Sequence, residues 1–226
     1  MNKSGFTLAE VLITLGIIGV VAALTIPGLL ANYAKIRTAA QLKESYSILQ
    51  QAIKLSQDEN GNIEGWDTTL TGSEFFHAYL ANYLKWGKEY TSTELAKSAP
   101  RTHLNGTAYS GTFYTSDISS HFTLLNGTLI SCQIEETGMM IGIDVNGLSK
   151  PNRMGIDTFY FFFTSEYGLR PLGDKGTTAY MNFGSYERST LTGSNGYACN
   201  KNKKGYWCAA LIMYDGWKIS NDYPWN

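Results

Sequence analysis

The sequence has few charged residues and almost no excess of either sign. Lys and Arg number 18 against 19 Asp and Glu, so charged residues make up 16% of the 226 residues and the formal net charge is −1. A nucleic-acid-binding domain usually carries a strongly basic face, so this balance does not favour nucleic acid as a partner. Gly and Tyr are abundant, at 23 and 15 residues. The composition favours an exported domain rich in β-strands and turns.

Cysteine is also scarce, with only Cys132, Cys199 and Cys208 in the chain. None of them belongs to a CxxC pair, which excludes a zinc ribbon and a thioredoxin-like motif. Cys199 and Cys208 flank a short polar loop, so we predict a disulfide between them if this part of the chain lies outside the cytoplasm. Cys132 is then left over, and we interpret it as a small buried apolar side chain.

Sequence signatures of catalysis are lacking as well. The histidines His77, His103 and His121 are scattered and form no HExxH motif. The chain has neither a G-x-S-x-G nucleophile motif nor a P-loop. We interpret His77, which lies among aromatic residues on a predicted helix, as a hydrogen-bonded and partly buried imidazole. The sequence therefore does not support an enzyme, although catalytic groups can assemble from distant positions.

The best candidate for a metal site is the segment IDVNGLSKPNRMGID, residues 143–157. Here Asp144, Asn146 and Asp157 have the hard oxygen ligands that calcium prefers. The segment is not an EF-hand loop, because the third acidic position and the closing Glu are missing. Asn and Asp beside Gly are commonly turn formers, so a calcium site and a plain turn remain alternatives. No other cofactor is indicated.

A long apolar run begins close to the amino terminus. Glu10 is the only ionisable side chain between residues 6 and 31, and the run is long enough to cross a hydrocarbon core of about 30 Å. It exceeds the apolar core of a secretory signal, and no A-x-A-like site follows it. Because Gly5 precedes the run, we predict that residues 1–5 are removed and the apolar helix is retained. Lys3 predicts a cytoplasmic amino terminus.

Glu10 is unusual in such a run, and two interpretations of it are open. A carboxylate costs about 2.5–3.5 kcal/mol at the centre of a spanning helix and less near its end, so Glu10 can be a tolerated interfacial acid. Alternatively, cleavage after Gly5 would free an ammonium group on Phe6. A second copy, shifted along the helix axis, would place this ammonium against Glu10, and the cost of each charge would be offset only in the assembly.

The segment GFTLAEVLITLGIIGVVAALTIP resembles the amino-terminal signature of type IV pilins and type II secretion pseudopilins. The resemblance covers residues 3–30 and rests on Gly5, Phe6, Thr7, Leu8, Glu10, Gly16, Gly19 and Pro27. It implies that a prepilin peptidase cuts between Gly5 and Phe6 and methylates the new amino terminus, and that Glu10 guides insertion into a filament. Gly16 and Gly19 would soften the helix for assembly, although small residues also allow close packing in any membrane helix bundle. Pro27 would loosen it too.

The resemblance also implies a location and partners. A member of this family would be a single-pass protein of the bacterial inner membrane with its head outside the cytoplasm, and would pass into a periplasmic pseudopilus or an extracellular pilus. Its partners would be the lipid bilayer, prepilin peptidase, the inner-membrane assembly machinery, and itself or other pilins in a helical filament. The leading hypothesis is a structural filament subunit, not an enzyme. The alternatives are a minor or tip pilin that binds a ligand, DNA or a surface, and a membrane-anchored enzyme.

The pattern beyond the apolar run predicts a long helix followed by an α+β head. We expect a leader at residues 1–5, a helix over 6–57 with its transmembrane part at 6–30, and a head over 58–226; Gly61 is a plausible helix stop. The outer half of this helix carries an apolar stripe, expected to face the head. Its members are Ile36, Ala40, Leu42, Ser45, Ile48, Leu49, Ala52, Ile53 and Leu55.

Within the head, the sequence predicts a second helix over GSEFFHAYLANYLKWGK, with Ser73 as its cap and Gly87 as its stop. A short helix is expected over STELAKSA. Asn126-Gly127 is a strong hairpin signal, further strands are expected around Asn146-Gly147 and Gly168, and another hairpin about Asp215-Gly216. These elements predict an antiparallel sheet of about four to six strands packed on the outer half of the long helix.

Overall fold

The computed structural model of the chain describes residue 5 and residues 7–135, 137–174 and 186–225. The chain divides into two compact units, Met1–Arg37 and Thr38–Asn226. Helix α1 spans Leu8–Asn60. Gly61, the expected stop, follows it with a φ of +78°, and its N–H donates to the carbonyl of Gln57 at 3.0 Å. Only glycine adopts this conformation without steric cost.

In the first unit, α1 is apolar and its side chains are exposed. An 18-residue apolar window, long enough to cross a membrane by length and composition, has no buried residue. Pro27 lies inside the helix, which continues on both sides of it. A helix that is apolar on all sides needs an apolar environment, because leaving those side chains in water costs about 25 cal/mol per Å².

In the second unit, the remainder of α1 packs against the head. The predicted stripe is only partly correct, because Ile36 and Leu55 are 62% and 51% exposed and Ala40 is also exposed. Small residues that the apolar pattern did not select contact the head instead. The buried face is therefore rotated slightly from the predicted one. Its small side chains allow the helix to approach the sheet closely. The buried residues are Ala39, Leu42, Ser45, Leu49, Ala52, Ile53 and Ser56.

The head is built on a six-stranded antiparallel sheet, as predicted, in which each strand pairs with the next along the chain. Asn126-Gly127 forms the expected hairpin, with Gly127 at a φ of +88° and the N–H of Leu124 donating to the carbonyl of Thr128 at 2.8 Å. The strands are β1 (Trp86–Tyr90), β2 (Ser119–Leu124), β3 (Leu129–Glu135), β4 (Gly138–Asp144), β5 (Thr158–Thr164) and β6 (Gly168–Pro171).

Both faces of the sheet are covered at its centre. On one face Tyr46 of α1 lies against Phe161, with ring centroids 5.5 Å apart. On the other, Tyr160 contacts Phe113 and Tyr206, at 5.8 and 5.2 Å. Strands buried on both faces have a continuous apolar sequence, which explains the aromatic run of β5.

The second helix differs from its predicted bounds. Helix α2 spans Gly72–Tyr79, and its cap is Thr71 rather than Ser73. The Thr71 hydroxyl accepts the N–H of Glu74, whose carboxylate in turn accepts the N–H of Thr71 at 3.0 Å. This reciprocal capping box satisfies more donors than Ser73 can. A 3₁₀ turn, Ala81–Tyr83, follows α2, and the predicted stop Gly87 lies in β1. Helix α3 spans Ser92–Ser98, as predicted.

The predicted hairpin about Asp215-Gly216 is wrong. Residues Cys208–Tyr214 form helix α5, preceded along the chain by the single-turn α4, Arg188–Leu191. The first five residues of α5, through Ile212, are all buried, and a short apolar run buried on all sides is compatible with either a strand or a helix. Asp215-Gly216 terminates α5, and Gly216 has a φ of +72°. The remaining 3₁₀ turns are Ile63–Gly65 and Thr112–Tyr114.

Candidate functional site

The predicted processing bond lies directly before α1. Gly5 is exposed, and a Cβ added to it would meet no atom within 4 Å. Its partner in the bond, Phe6, lies outside the described residues. The preference for Gly at this position therefore does not come from packing within the described chain. If the predicted cleavage occurs, a requirement for Gly here would come from the enzyme that recognises the bond.

Glu10 forms a capping box at the start of α1. Its Oε2 accepts the N–H and the hydroxyl of Thr7, each at 2.8 Å, and the Glu10 N–H donates to Thr7 Oγ1 at 3.3 Å. Donors in the first turn have no partner within the helix, so this reciprocal arrangement stabilises the helix start. The sequence analysis missed the cap, although T-x-x-E before an apolar run is its known signal.

The capping box changes the energetic argument for Glu10. The carboxylate is hydrogen-bonded within its own chain, and it lies at the positive end of the helix dipole. An isolated subunit therefore does not leave this charge unsatisfied at the membrane surface. Pairing with a second copy's ammonium stays a prediction, and it would supplement or replace the bonds from Thr7.

Gly16, Gly19 and Pro27, the other predicted assembly residues, lie on the exposed part of α1. A Cβ added to either glycine would meet no atom within 4 Å. Nothing in the described chain needs these two glycines to be small, so a packing requirement would have to come from a neighbouring helix. Their role in assembly stays a prediction.

The predicted disulfide between Cys199 and Cys208 is present, and both residues are buried. It joins the first residue of α5 to the preceding loop. The backbone of that loop is hydrogen-bonded to the head, since the carbonyls of Lys203 and Lys204 accept the N–H groups of Asn105 and Leu104 at 3.0 Å.

Cys132 is free and buried in β3, as expected. Burial raises the pKa of its thiol to about 12. Since the thiolate is the reactive form, this cysteine is inert at neutral pH.

The predicted metal ligands Asp144 and Asp157 do lie close together, but protein donors bind them. Asp144 Oδ2 is 3.2 Å from a guanidinium nitrogen of Arg101, and both side chains are 2% exposed. Thr158 donates its hydroxyl to the same oxygen at 3.2 Å. The carboxylate oxygens of Asp157 accept the N–H groups of Asn152 and Arg153 at 2.8 and 2.6 Å. Arg101 thus already supplies a positive charge beside the predicted site.

Three buried oxygens in this region have no hydrogen-bond partner among the described residues: Oδ1 of Asp144, Asn146 and Asn152. Burial and the nearby Asp157 raise the pKa of Asp144 well above its usual value, despite Arg101. No group of three or more His, Cys, Asp or Glu side chains that could hold a metal occurs in the part of the chain described. Calcium takes six to eight oxygen ligands, so the free oxygens fall short of a complete site. Calcium binding stays a prediction.

His121 is the most constrained of the histidines, although no sequence motif indicated this. Its ring lies 2.8 Å from Ser131 Oγ and 3.2 Å from Ser92 Oγ. Because the Ser92 hydroxyl donates to the carbonyl of Ser116 at 2.7 Å, Nε2–H of His121 is the donor to Ser92, and Nδ1 accepts from Ser131. Burial, with a smaller effect of Arg101, lowers the pKa of His121 to about 3. This imidazole is neutral, fully buried and inaccessible to a substrate.

His77 and His103 contact other residues and not the two serines that flank His121. His77 Nε2 lies 2.9 Å from a Glu89 carboxylate oxygen, and its ring packs edge-on against Trp86. The expected hydrogen-bond partner is present, but the expected partial burial is wrong, since half of the His77 side chain is exposed. His103 lies 3.1 Å from the sulfur of Met154, and burial lowers its pKa. His103 and His121 are therefore part of the packing of the head, whereas His77 forms an exposed pair with Glu89.

Two protein-family models match this chain, one on each side of residue 27. The prokaryotic N-terminal methylation motif matches residues 1–26. It is the signature of type IV pilins and pseudopilins, which confirms the resemblance described above and marks a pilin-like protein that prepilin peptidase processes. A family model described as "Family of unknown function (DUF6613)" matches residues 28–226. No curated protein and no solved structure matches the chain.

Proposed function

The chain belongs to this family of unknown function, DUF6613, and we propose that it is a structural subunit of a filament of the type IV pilus or type II secretion pseudopilus kind. The subunit is held in the inner membrane with its head outside the cytoplasm. Prepilin peptidase cuts it between Gly5 and Phe6, and its α1 helices then stack in a filament. The observation that carries this proposal is the methylation motif at the amino-terminal end of an exposed apolar helix.

The exposed part of α1 supports storage in a bilayer followed by polymerisation. Large apolar side chains are exposed along it from Leu8 to Ile36. Helices that leave the bilayer must find an equally apolar environment, and the helices of other copies provide one. Gly16 and Gly19 leave open surface on α1 into which a neighbouring helix fits.

Glu10 would favour one axial offset between neighbouring helices in the stack. Cleavage leaves the Thr7 N–H in place as an amide, so the capping box survives processing, while a new ammonium appears on Phe6. In a stack, that ammonium on one copy lies against the Glu10 carboxylate of the next. A pair of opposite charges in an apolar environment is much less costly than either charge alone, so a shifted register is disfavoured.

The head supports export and a structural role. Disulfides persist in oxidising compartments, which agrees with a head outside the cytoplasm. His121 and Cys132 are fully buried and are not accessible to a substrate. The partners are accordingly the bilayer, the peptidase, the inner-membrane assembly machinery and other pilin subunits.

The test is imaging of filaments sheared from the producing cells or isolated from the periplasm, labelled with an antibody to the head. We expect labelling along the whole filament, and an amino-terminal peptide that begins with a methylated Phe6. A tip subunit would be scarce and would label one end. The proposal is overturned if the purified native chain still begins at Met1 and never enters a polymer.

A further inference from the structure

The head carries an apolar groove beside α1, here called the helix–hairpin groove. It has a volume of about 300 Å³ and lies between the outer part of α1 and the β2–β3 hairpin. Ile48 and Leu55 of α1 line one side, and Tyr83, Leu124 and Leu125 line the other. Leu55 and Leu125 are 51% and 71% exposed. Contiguous exposed apolar surface of this kind, rimmed by polar residues, is typical of a protein–protein contact site.

The backbone holds Leu125 in its exposed position. It directly precedes the Asn126-Gly127 turn, where polar residues are usual. Its N–H donates to the carbonyl of Lys85 at 3.0 Å, so the residue is tied to the segment that leads into β1. The exposed leucine is thus a fixed part of the groove wall.

The same chain carries a helical stripe that matches this groove. Leu29, Tyr33 and Ile36 in the first unit are 69%, 62% and 62% exposed. Their i, i+4, i+7 spacing places them on one face of α1. Leu29 and Ile36 are seven residues apart, and so are Ile48 and Leu55, which corresponds to about 10.5 Å along a helix. The stripe and the groove wall therefore have equal lengths.

The charges around the two surfaces are complementary. Lys35 and Arg37 flank the stripe. Glu44 and Lys85 line the groove, and Glu59 lies beside it, where it accepts the hydroxyl of Tyr83 at 2.7 Å. Carboxylates therefore outnumber the basic group at the groove. Long basic side chains beside an apolar stripe can reach such carboxylates while the apolar residues fill the groove.

From these matches we propose that the helix–hairpin groove of one copy receives the Leu29–Tyr33–Ile36 stripe of a second copy. The inference rests on the proposed function and adds to it the surface of the head that contacts a neighbour. A head that binds the neighbour's helix just above its membrane segment would order the heads as well as the helices.

Cysteine cross-linking in filaments tests the contact directly. Two differently tagged copies are produced together, one with Ile36→Cys and the other with Leu125→Cys. The native cysteines do not interfere, because Cys132 is buried and the other two form the disulfide. We expect a mixed dimer that carries both tags after oxidation. The matched control replaces Ile118, which is 48% exposed on the head outside the groove, and Ile36→Cys with Ile118→Cys should give no mixed dimer.

A second measurement follows incorporation. Leu125→Glu should lower the amount of the chain in filaments about tenfold, because the contact would bury an unpaired carboxylate, whereas Ile118→Glu should leave it unchanged. Filaments that contain Ile36→Cys and Leu125→Cys without forming the mixed dimer would overturn the contact and leave the proposed function intact. A wild-type chain that forms no filament would overturn the proposed function, and this inference with it.

Discussion

The Glu10 carboxylate accepts the N–H and the hydroxyl of Thr7, each at 2.8 Å, and thereby caps α1. The same carboxylate is the group proposed to bind the amino terminus of a neighbouring subunit. One acid thus stabilises the helix start and would, in the proposed stack, also determine the register. The two tasks differ in their requirement for charge, since a cap needs an acceptor and an ion pair needs an anion.

Glu10→Gln separates these tasks. The amide oxygen of Gln still accepts from Thr7, so insertion into the membrane should be unchanged. Its lack of charge removes the pairing with the ammonium of Phe6, so incorporation into filaments should fall strongly. The amounts of the chain in membranes and in sheared filaments are compared by immunoblot, with Thr7→Ala as the control that weakens only the cap. Normal incorporation of Glu10→Gln would limit this carboxylate to capping.

Gly5→Leu tests the processing site. Because Gly5 has open space around it, a leucine there does not disturb the described chain, and any effect comes from recognition by the peptidase. We expect the amino-terminal peptide to keep residues 1–5 and to lack the methyl group, as measured by mass spectrometry. Gly28→Leu, at an equally open position within α1, should be cleaved normally. Cleavage of Gly5→Leu at the usual rate would move the site elsewhere.

His121 should make the head less stable in acid. Its pKa is about 3 in the folded chain against an ordinary value of 6.5, so the unfolded chain binds more protons between these values. The stability that His121 contributes is fully present above about pH 6.5 and is lost as the pH falls, by about 2 kcal/mol between pH 7 and pH 5. Denaturant titrations should show this loss in the wild type and a flatter profile in His121→Gln. Equal pH dependence in the two proteins would mean that His121 is not buried as a neutral ring.

The Asp144 carboxyl also contributes to the pH dependence of stability, so the effect of His121 has to be taken as the difference between the wild-type and His121→Gln profiles. Its pKa is shifted in the opposite direction to that of His121, and a group whose pKa is raised on folding contributes stability that declines as the pH rises. The wild-type profile contains both effects. Subtracting the His121→Gln profile leaves the part that belongs to the histidine.

Removing the disulfide should destabilise the head without unfolding α1. The double variant Cys199→Ala, Cys208→Ala should lose about 2–4 kcal/mol, because the unfolded chain regains the freedom of the closed loop. Thermal unfolding without reductant measures the loss, and reductant should lower the melting temperature of the wild type but not that of the double variant. Cys132→Ala, which leaves the disulfide intact, should respond to reductant as the wild type does. A double variant as stable as the wild type would contradict a structural role.

The predicted calcium site is tested by the same unfolding assay. If Asp144, Asn146 and Asp157 bind calcium, with water completing the shell, millimolar calcium should raise the melting temperature of the wild type. Asp144→Asn keeps the shape of the side chain but removes its charge, so the rise should disappear. Magnesium, which requires a smaller octahedral site, is the control and should have little effect. An unchanged wild-type melting temperature would identify this segment as a turn held by Arg101.

Several elements of the fold were predictable because their signals are local. The Asn126-Gly127 hairpin, the aromatic strand β5 and the return at Gly168 each follow from residues within one short segment. The cap at Glu10 is equally local, since T-x-x-E before an apolar run is sufficient to indicate it, but the same acid also fits the interpretation as a charge at the membrane surface. The same pattern occurs at Thr71 and Thr91, and both cap helices.

Other features depended on contacts between distant segments. The apolar run of α5 is too short for its period to separate helix from strand, and burial on all its sides decided the matter. The ion pair of Arg101 with Asp144 joins residues 43 positions apart, and the two serines around His121 come from α3 and β3. No spacing rule connects such residues, because the sheet brings them together only after it has formed.

The sequence by itself determined the apolar amino-terminal helix and the pilin-like character of the chain, and it predicted the processing site, because these depend on one continuous segment and not on a folded head. It also determined the disulfide, whose cysteines are close along the chain. Only the tertiary structure decided which helix face meets the head, that protein donors hold the predicted metal ligands, and that an apolar groove remains open beside α1. These properties arise from packing, where the environment of a side chain depends on residues far away in the sequence.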